Sequence, residues 1–243
     1  MCVQPKRWYR VYIPTYPSDE NMLEFLIDID QSLMLALNDM HSAYMDGFMM
    51  LFSGRWVWVP MYAAIFVAVL WRYGWRRGLL LSLAVGLAVT VADQTCATLL
   101  RPLAERLRPA NLDNPLSTMV HIVDGYRGGQ YGFPSCHAAN TFALAAAVAV
   151  LLRRRGVVAF LYAWALVTCY SRIYLGVHYP GDLLVGAIVG TAAALLCVLT
   201  VRHYTHTLQV SKVQERWHEL TPQRFVVGVG MAVIVALAIV AVF

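Results

Sequence analysis

"LLVGAIVGTAAALLCVLTV", residues 183–201, is a run of nineteen residues without a charged side chain. At a rise of about 1.5 Å per residue, a helix of this length crosses most of the roughly 30 Å hydrocarbon core of a bilayer. The stretch therefore predicts a membrane-spanning helix, and it sets the class of protein to look for in the rest of the chain.

The remainder of the 243-residue chain repeats this apolar pattern. Hydrophobic residues make up 59% of the sequence and charged residues only 14%, which is far more apolar than a soluble domain of this length needs. Further apolar runs that approach or reach the length of a span occupy residues 56–71, 78–100, 137–152, 156–171 and 225–243. We expect an all-α fold, a polytopic membrane bundle of about six transmembrane helices.

The first 55 residues have a different pattern. Between residues 22 and 50, polar side chains such as Glu24, Asp28 and Gln31 recur at helical spacing between leucines. This pattern predicts an N-terminal amphipathic helix in the membrane interface, although partial insertion into the bilayer remains open. The chain then divides into an interfacial segment, a membrane-embedded core, and a linker with a C-terminal span, at residues 1–55, 56–201 and 202–243.

Arginine-rich loops predict the orientation of the bundle. Three loops carry the basic residues, at Arg72, Arg76 and Arg77, at Arg153 to Arg155, and between residues 201 and 224. The positive-inside rule places these loops in the cytoplasm, so the loops at 101–136 and 172–182 face the periplasmic or extracellular side of the plasma membrane. Topology thus accounts for much of the net charge of +5, and no nucleic-acid partner is expected.

Cysteine usage indicates neither a disulfide framework nor a metal site. No CxxC spacing occurs among Cys2, Cys96, Cys136, Cys169 and Cys197, and most of them lie in predicted spans. We expect no metal and no cofactor. The sequence gives no prediction of oligomeric state.

Three segments of the predicted outer face carry residues suited to phosphate. They are "RPLAERLRP" at 101–109, "PSCH" at 134–137 and "SRIYLGVHYPGD" at 171–182. The guanidinium groups of Arg101, Arg108 and Arg172 are planar, permanently charged donors that match phosphate oxygens. The first two are seven residues apart, which on a helix is one face. These arginines predict an anion site.

Two histidines could supply the chemistry. Ser135 is placed to cap the third span, which leaves the backbone N–H groups of Cys136 and His137 free to bind an anion. Asp182, close to His178, can accept one ring proton and leave the other ring nitrogen free to attack. His178 is then a candidate nucleophile and His137 a candidate proton donor.

These segments resemble the type 2 phosphatidic acid phosphatase (PAP2) superfamily, in its bacterial membrane lipid phosphatase branch. That family's motifs are a Lys, six residues, then Arg-Pro; Pro-Ser-Gly-His; and Ser-Arg, five residues, His, three residues, Asp. This chain keeps every spacing, with Arg101 before Arg108-Pro109, with Pro134-Ser135-Cys136-His137, and with Ser171-Arg172 before His178 and Asp182.

The resemblance implies a role for each matching residue. His178 would form a phosphohistidine, Asp182 would orient it, and His137 would protonate the leaving oxygen and later activate water. The implied phosphate-binding set is Arg101, Arg108, Ser135, Cys136 and Arg172. No metal is required by this chemistry.

The chain departs from the family pattern at two positions. Arg101 replaces the more common Lys and keeps its charge. Cys136 replaces Gly, and we interpret it as a small residue that fits a helix start rather than as a nucleophile. Asp93, an ionisable group within a span, is either a partner of Arg101 or a residue near the interface. In the outer loop we favour simple solvation for His121, Asp124, Tyr126 and Arg127.

The sequence therefore predicts an integral membrane lipid phosphatase that removes a terminal phosphate, with undecaprenyl diphosphate as the preferred substrate. Lipid A and phosphatidylglycerol phosphate are the alternative substrates. A phospholipid-binding or transport protein without catalysis is the alternative of a different class, although binding alone does not need the histidine and aspartate set. A vanadate-dependent oxidant would share the residues, but six spans argue against it.

Overall fold

The computed structural model describes residues 22–207 and 221–242. The described residues form α-helices with short 3-10 and π-helical turns and no β-strand, which confirms the all-α prediction. The helices are α1 (Met22–Asn38), α2 (Ala43–Phe52), α3 (Val59–Tyr73), α4 (Trp75–Gln94), α5 (Arg101–Ala104), α6 (Cys136–Leu152), α7 (Arg155–Tyr174), α8 (Pro180–Thr207) and α9 (Thr221–Val240).

Six apolar helical segments coincide with the six predicted spans. Five are long and apolar enough to cross a membrane, namely Trp56–Tyr73, Trp75–Ala104, Arg155–Tyr174, Pro180–Thr205 and Pro222–Val240. The sixth is the shorter helix α6, with 17 residues. Leucines on the outer faces of these segments, such as Leu83, Leu87 and Leu196, are exposed, as expected for side chains that contact lipid.

Helix α6 lies at the centre of the bundle and packs against α4, α7 and α8. Its alanine-rich surface is buried on nearly all sides, which is the pattern of a helix enclosed by others. Gly186 and Gly190 of α8 make the contact with α6 close. A Cβ atom at either position would collide with the backbone oxygen of Ser135 or Ala139. Small residues at this spacing allow two helices to approach closely.

One end of the bundle collects the predicted cytoplasmic arginines. At the C-terminus of α6, the Arg72 guanidinium donates to the carbonyl of Leu152 at 2.6 Å and the Tyr73 hydroxyl to that of Leu151 at 2.7 Å. Arg202 reaches the carbonyl of Val150 at 3.4 Å. The three basic loops therefore begin at one end, although most of the third lies outside the described residues.

The N-terminal segment differs from the single amphipathic helix that was predicted. It forms two helices, α1 and α2, separated at residues 39–42. The break follows Asn38, whose buried amide donates to the carbonyls of Ile173 and Tyr174 and accepts the N–H of His121. Ser42 then caps α2. The prediction of one continuous helix is wrong because this side chain binds the end of α7 instead of facing solvent.

Helix α1 keeps the predicted amphipathic character. Leu23, Leu26 and Leu33 are exposed, whereas Met34 and Asn38, one helical turn apart, are buried on the side that faces the bundle. That buried side packs against α7 and α8 at the end of the bundle opposite to Arg72. The three-part division of the chain stays a prediction.

Candidate active site

The end of the bundle opposite to Arg72 and Tyr73 gathers the predicted site residues. Helices α6 and α8 begin there, α7 ends there, and α5 with the following loop covers them. Hydrogen bonds and close contacts link Arg101, Arg108, Ser135, Cys136, His178 and Asp182, and Arg172 lies within electrostatic range of Arg108 and His178. His137, in the first turn of α6, lies within electrostatic range of Arg172, His178 and Arg108. The structure thus brings all eight residues together.

His178 is held between a carboxylate and a guanidinium. Its Nδ1 lies 3.3 Å from Oδ2 of Asp182, and its Nε2 lies 3.2 Å from Nη1 of Arg108. The residue is only 1% exposed. Burial, followed by the positive charges of Arg108, Arg172 and Arg101, lowers the pKa of His178 well below its usual value. The imidazole is therefore neutral at physiological pH and has a free lone pair on one nitrogen.

Asp182 occupies the first turn of α8, as the sequence predicted. Its Oδ2 accepts the backbone N–H of Tyr179 at 3.0 Å besides facing His178. The backbone carbonyl of Asp182 accepts the N–H of Ser135 at 3.0 Å, which joins the start of α8 to the start of α6. The two helix N-termini that carry the histidine chemistry are therefore fixed to each other.

Gly132 allows the covering loop to pass directly against this pair. A Cβ atom on Gly132 would lie 3.2 Å from Oδ2 of Asp182 and 3.5 Å from Nδ1 of His178. The loop backbone thus packs against the Nδ1 side of the imidazole and the Asp182 carboxylate.

Three guanidinium groups surround the histidines. Arg108 is fixed by donation from Nε to the carbonyl of Tyr131 and from Nη1 to that of Val177, both at 3.1 Å. Burial and the neighbouring arginines lower the pKa of Arg108 to about 10, so it remains charged at neutral pH. Arg172 donates to the hydroxyl of Ser53 and, at 3.0 Å, to that of Tyr126.

The prediction that Arg101 and Arg108 share one helix face is wrong. Helix α5 ends at Ala104, because Glu105 adopts a left-handed conformation with φ of 43°. The chain then pairs with the covering loop, where the N–H of Arg108 donates to the carbonyl of Gln130 at 3.1 Å. Both arginines still reach the site, but they arrive from a helix and from a loop.

Ser135 caps α6 as predicted, since its hydroxyl accepts the N–H of Ala138. The first-turn N–H groups of Cys136 and His137 have no acceptor within the helix and are available to an anion. The Sγ atom of Cys136 lies 3.0 Å from Nη2 of Arg101, whose guanidinium also donates to the carbonyl of Pro134 at 3.2 Å. The cysteine thus helps to place this arginine.

Asp93 lies beside this cluster. Its Oδ1 accepts from the amide of Asn140 at 2.8 Å, and its backbone oxygen lies 3.9 Å from Sγ of Cys136. Asp93 lies near Arg101, as expected, because Cys136 contacts both residues. Among the described residues, no direct contact between the Asp93 carboxylate and the Arg101 guanidinium is found.

Sequence reasoning missed four residues of this region. Arg106 and Asp30 form ion pairs next to Asp182, and Ser53 and Tyr126 bind Arg172. The sequence favours simple solvation for Tyr126, whereas the structure shows it bonded to Arg172. Burial favours its neutral phenol, but the charge of Arg172 and its hydrogen bond lower the pKa of Tyr126 from its usual value. Only Arg106, inside the "RPLAERLRP" segment, carried a usable sequence signal.

A cavity of about 920 Å³ extends from the site into the bundle. His137, Arg172 and Arg55 lie at its polar end, and mainly apolar side chains from α3, α4, α6 and α7 line the remainder, together with Asp93 and Asn140. The apolar side chains include Ile65, Val69, Val85, Val89, Leu144 and Trp164. The cavity can hold a phosphate at one end and hydrocarbon at the other. Among the described residues, no group of three or more His, Cys, Asp or Glu side chains could hold a metal ion.

A membrane bundle that gathers two histidines, an aspartate and three arginines beside an apolar cavity has the arrangement of a phosphatase acting on membrane lipids. The family comparison agrees with that class. The model of the PAP2 superfamily matches residues 77–205, and this chain belongs to that superfamily.

Relatives and solved structures specify the class further. The chain is 47% identical over 188 residues to a lipid A 4'-phosphatase of Bacteroides thetaiotaomicron, covering 77% of this chain and 84% of the relative. It is 30% identical to a lipid A 4'-phosphatase of Porphyromonas gingivalis, covering 80% and 78%. The protein is therefore an integral membrane lipid phosphatase.

Two crystal structures share the fold. LpxE of Aquifex aeolicus superposes with a TM-score of 0.55 at 23% identity, over 69% of this chain and 93% of the other. A transmembrane PAP2-type phosphatidylglycerolphosphate phosphatase from Bacillus subtilis superposes with a TM-score of 0.54 at 19% identity, over 80% and 92%. At these identities the likeness establishes the fold alone.

Proposed function

We propose that this protein removes the 4'-phosphate of lipid A at the outer face of the plasma membrane, through a phosphohistidine intermediate. The observation that carries the substrate is the 47% identity to a lipid A 4'-phosphatase over 84% of that relative. The cavity supports it, because a charged end next to an apolar interior suits a phosphorylated lipid.

In the first step, Nε2 of His178 attacks phosphorus and the bond between phosphorus and the sugar oxygen breaks. The contact of Nδ1 with Asp182 supports this choice of nitrogen, because a proton held there leaves the lone pair on Nε2. Arg108, which lies against Nε2 in the free protein, transfers its donors to a phosphoryl oxygen as substrate binds. His137 gives its proton to the departing oxygen.

In the second step, His137 takes a proton from water, and the resulting hydroxide displaces His178 from phosphorus. Inorganic phosphate leaves and both imidazoles return to their starting states. Arg101, Arg108 and Arg172, with the N–H groups of Cys136 and His137, stabilise the negative charge on the phosphoryl oxygens. Ser135 holds the start of α6, and Cys136 holds Arg101.

The sequence-based preference for undecaprenyl diphosphate rested on the breadth of the family, and no observation on this molecule favours it over lipid A. A binding or transport role leaves the buried His178 and Asp182 pair without a purpose. Orientation with the site outside is supported by the basic loops at the opposite end.

The test is phosphate release by the purified protein from bis-phosphorylated lipid A, undecaprenyl diphosphate and phosphatidylglycerol phosphate, in the presence of EDTA. We expect lipid A to be preferred and the product to retain its 1-phosphate by mass spectrometry. His178→Ala should release no phosphate, whereas His203→Ala, an exposed residue at the other end, should match the wild type. Turnover by His178→Ala, loss of the 1-phosphate, or preference for another lipid would contradict the proposal.

A further inference from the structure

A row of charged side chains connects the N-terminal helix α1 with the carboxylate beside His178. Nη1 of Arg106 lies 3.0 Å from Oδ1 of Asp182, and Nη2 lies 2.8 Å from Oδ2 of Asp30. Neither Arg106 nor Asp30 lines the cavity that extends from the site. These two residues therefore act on the reaction through their contacts with Asp182 and its neighbours and through their charges.

The row fixes the direction in which Asp182 points. Oδ2 faces His178 and the N–H of Tyr179, while Oδ1 is occupied by Arg106, so both carboxylate oxygens have partners. The guanidinium of Arg106 lies over the ring of Tyr179, 3.9 Å from its centroid. The two carboxylates and the ring of Tyr179 thus hold the Arg106 guanidinium in place.

Asp30 binds the start of α8 directly, in addition to its ion pair with Arg106. Its Oδ1 accepts the N–H of Gly181 at 2.7 Å, in the first turn of α8 and next to Asp182. A Cβ atom on Gly181 would lie only 3.0 Å from Oδ2 of Asp30. One carboxylate of α1 therefore orients Arg106 and also binds the backbone that carries Asp182.

The charges of the row matter as well as its geometry. Arg106 cancels the single negative charge of Asp182, and Asp30 restores it, so the three side chains together carry one negative charge next to His178. The side chains of Asp30, Arg106 and Asp182 are 15%, 26% and 0% exposed, so solvent screens them only in part. A net negative charge stabilises the imidazole when it becomes cationic on attack.

We propose that Arg106 and Asp30 are positioning residues of this phosphatase, which set the orientation of Asp182 and the net charge that His178 experiences. The proposal rests on the assignment of His178 as the nucleophile. It gives the N-terminal segment, which lies outside the matched family region, a function in catalysis.

The experiment compares the pH profiles of kcat for Asp30→Asn and Arg106→Gln. His178 must be neutral to attack, so activity falls as the pH drops through its pKa. Loss of the Asp30 charge disfavours the cationic imidazole and should move this acid limb to lower pH. Loss of the Arg106 charge should move it to higher pH. We expect shifts of roughly half to one pH unit in each direction and about a tenfold lower kcat in both variants.

The other charged groups around His178 are present in the wild type and in both variants, so their charges alone cannot produce shifts of opposite sign. They are Arg101, Arg108, Arg172, His137 and Asp182. Ionisation of the substrate is likewise common to all variants. Asp28→Asn, the same change at an exposed position of α1, is the matched control and should leave the profile unchanged.

Arg106→Lys and Asp30→Glu retain the charges and should keep the acid limb of the wild type even where kcat falls. If Arg106→Gln does not fold, the comparison of Asp30→Asn with Asp30→Glu still tests the proposal. The acid limb of the kcat profile must then lie at lower pH in Asp30→Asn than in Asp30→Glu. Acid limbs that coincide, or that move the same way, would overturn the proposal. An active His178→Ala would instead remove the proposed function, so the two failures can be told apart.

Discussion

At the scale of single residues, Arg108 has the most demanding position. In the free protein its guanidinium contacts Nε2 of His178, the nitrogen that attacks phosphorus in the proposed mechanism. Binding of the substrate must redirect that donor to a phosphoryl oxygen. Because Nε donates to the carbonyl of Tyr131 and Nη1 also donates to that of Val177, the guanidinium stays anchored beside the site while this donor is redirected.

We expect Arg108→Ala to lower kcat/KM by about a hundredfold to a thousandfold, with both a higher KM and a lower kcat. Charge pairing to phosphate acts in the bound and transition states alike. Phosphate release from lipid A over a range of concentrations measures both constants. Arg155→Ala, an exposed arginine at the other end of the bundle, is the control, and an unaltered kcat/KM in Arg108→Ala would remove this residue from the site.

The residue-level predictions succeeded where a motif fixed the spacing. The cap by Ser135 and the place of Asp182 beside His178 follow from local rules over three or four residues. Asp30 could not be found this way, because 151 residues separate it from Gly181 and nothing local marks the contact. Long-range pairs of this kind arise from the packing of helices, which a single sequence does not reveal.

At the scale of elements, the contact between α6 and α8 decides the geometry of the site. The two helices carry His137 and Asp182, and they approach each other through Gly186 and Gly190. The sequence predicted both helices, because each is an apolar run of sufficient length. It could not predict that α5 ends at Ala104, because that break depends on pairing between the segment around Arg108 and the loop around Gln130.

Substitution of Gly190 by Ala should lower the thermal stability in detergent and the activity together. The new methyl group overlaps the backbone oxygen of Ala139, so α6 must move away from α8. We expect Tm to fall by about 5 °C or more. Differential scanning fluorimetry with a parallel assay measures both quantities. The matched control is Gly228→Ala in α9, where an added Cβ meets nothing, and a Gly190→Ala protein as stable as this control would refute the argument.

At the scale of the whole molecule, the apolar cavity separates a lipid phosphatase from a phosphatase of soluble esters. It opens at His137 and Arg172 and continues between α3, α4, α6 and α7 into the hydrophobic part of the bundle. The sequence predicted the six apolar segments, since each is a local property. The cavity could not be predicted from the sequence, because its volume depends on how α3, α4, α6 and α7 pack against one another.

Gly86 offers a way to fill this cavity without touching the polar site. It lines the cavity, and an added Cβ would meet nothing within 4 Å. We expect Gly86→Leu to raise KM for lipid A several-fold while turnover of a short-chain soluble phosphomonoester stays unchanged. Gly228→Leu, also in open space but away from the cavity, is the control. Equal effects on long-chain and short-chain substrates would show that the cavity does not receive hydrocarbon.

The helical segment that ends at Ala104 extends further outward than the start of α6, and this difference sets the depth of the site in the protein. Helix α6 begins level with Asp93, since Cys136 contacts its backbone oxygen, yet the helical segment that contains Asp93 continues to Ala104. At 1.5 Å per residue, those additional turns rise roughly 16 Å above the start of α6. The two imidazoles, which lie near the starts of α6 and α8, are thus roughly three helical turns below the end of α5. Hydrolysis of a lipid phosphate at these histidines therefore takes place below the outermost helical turns of the protein.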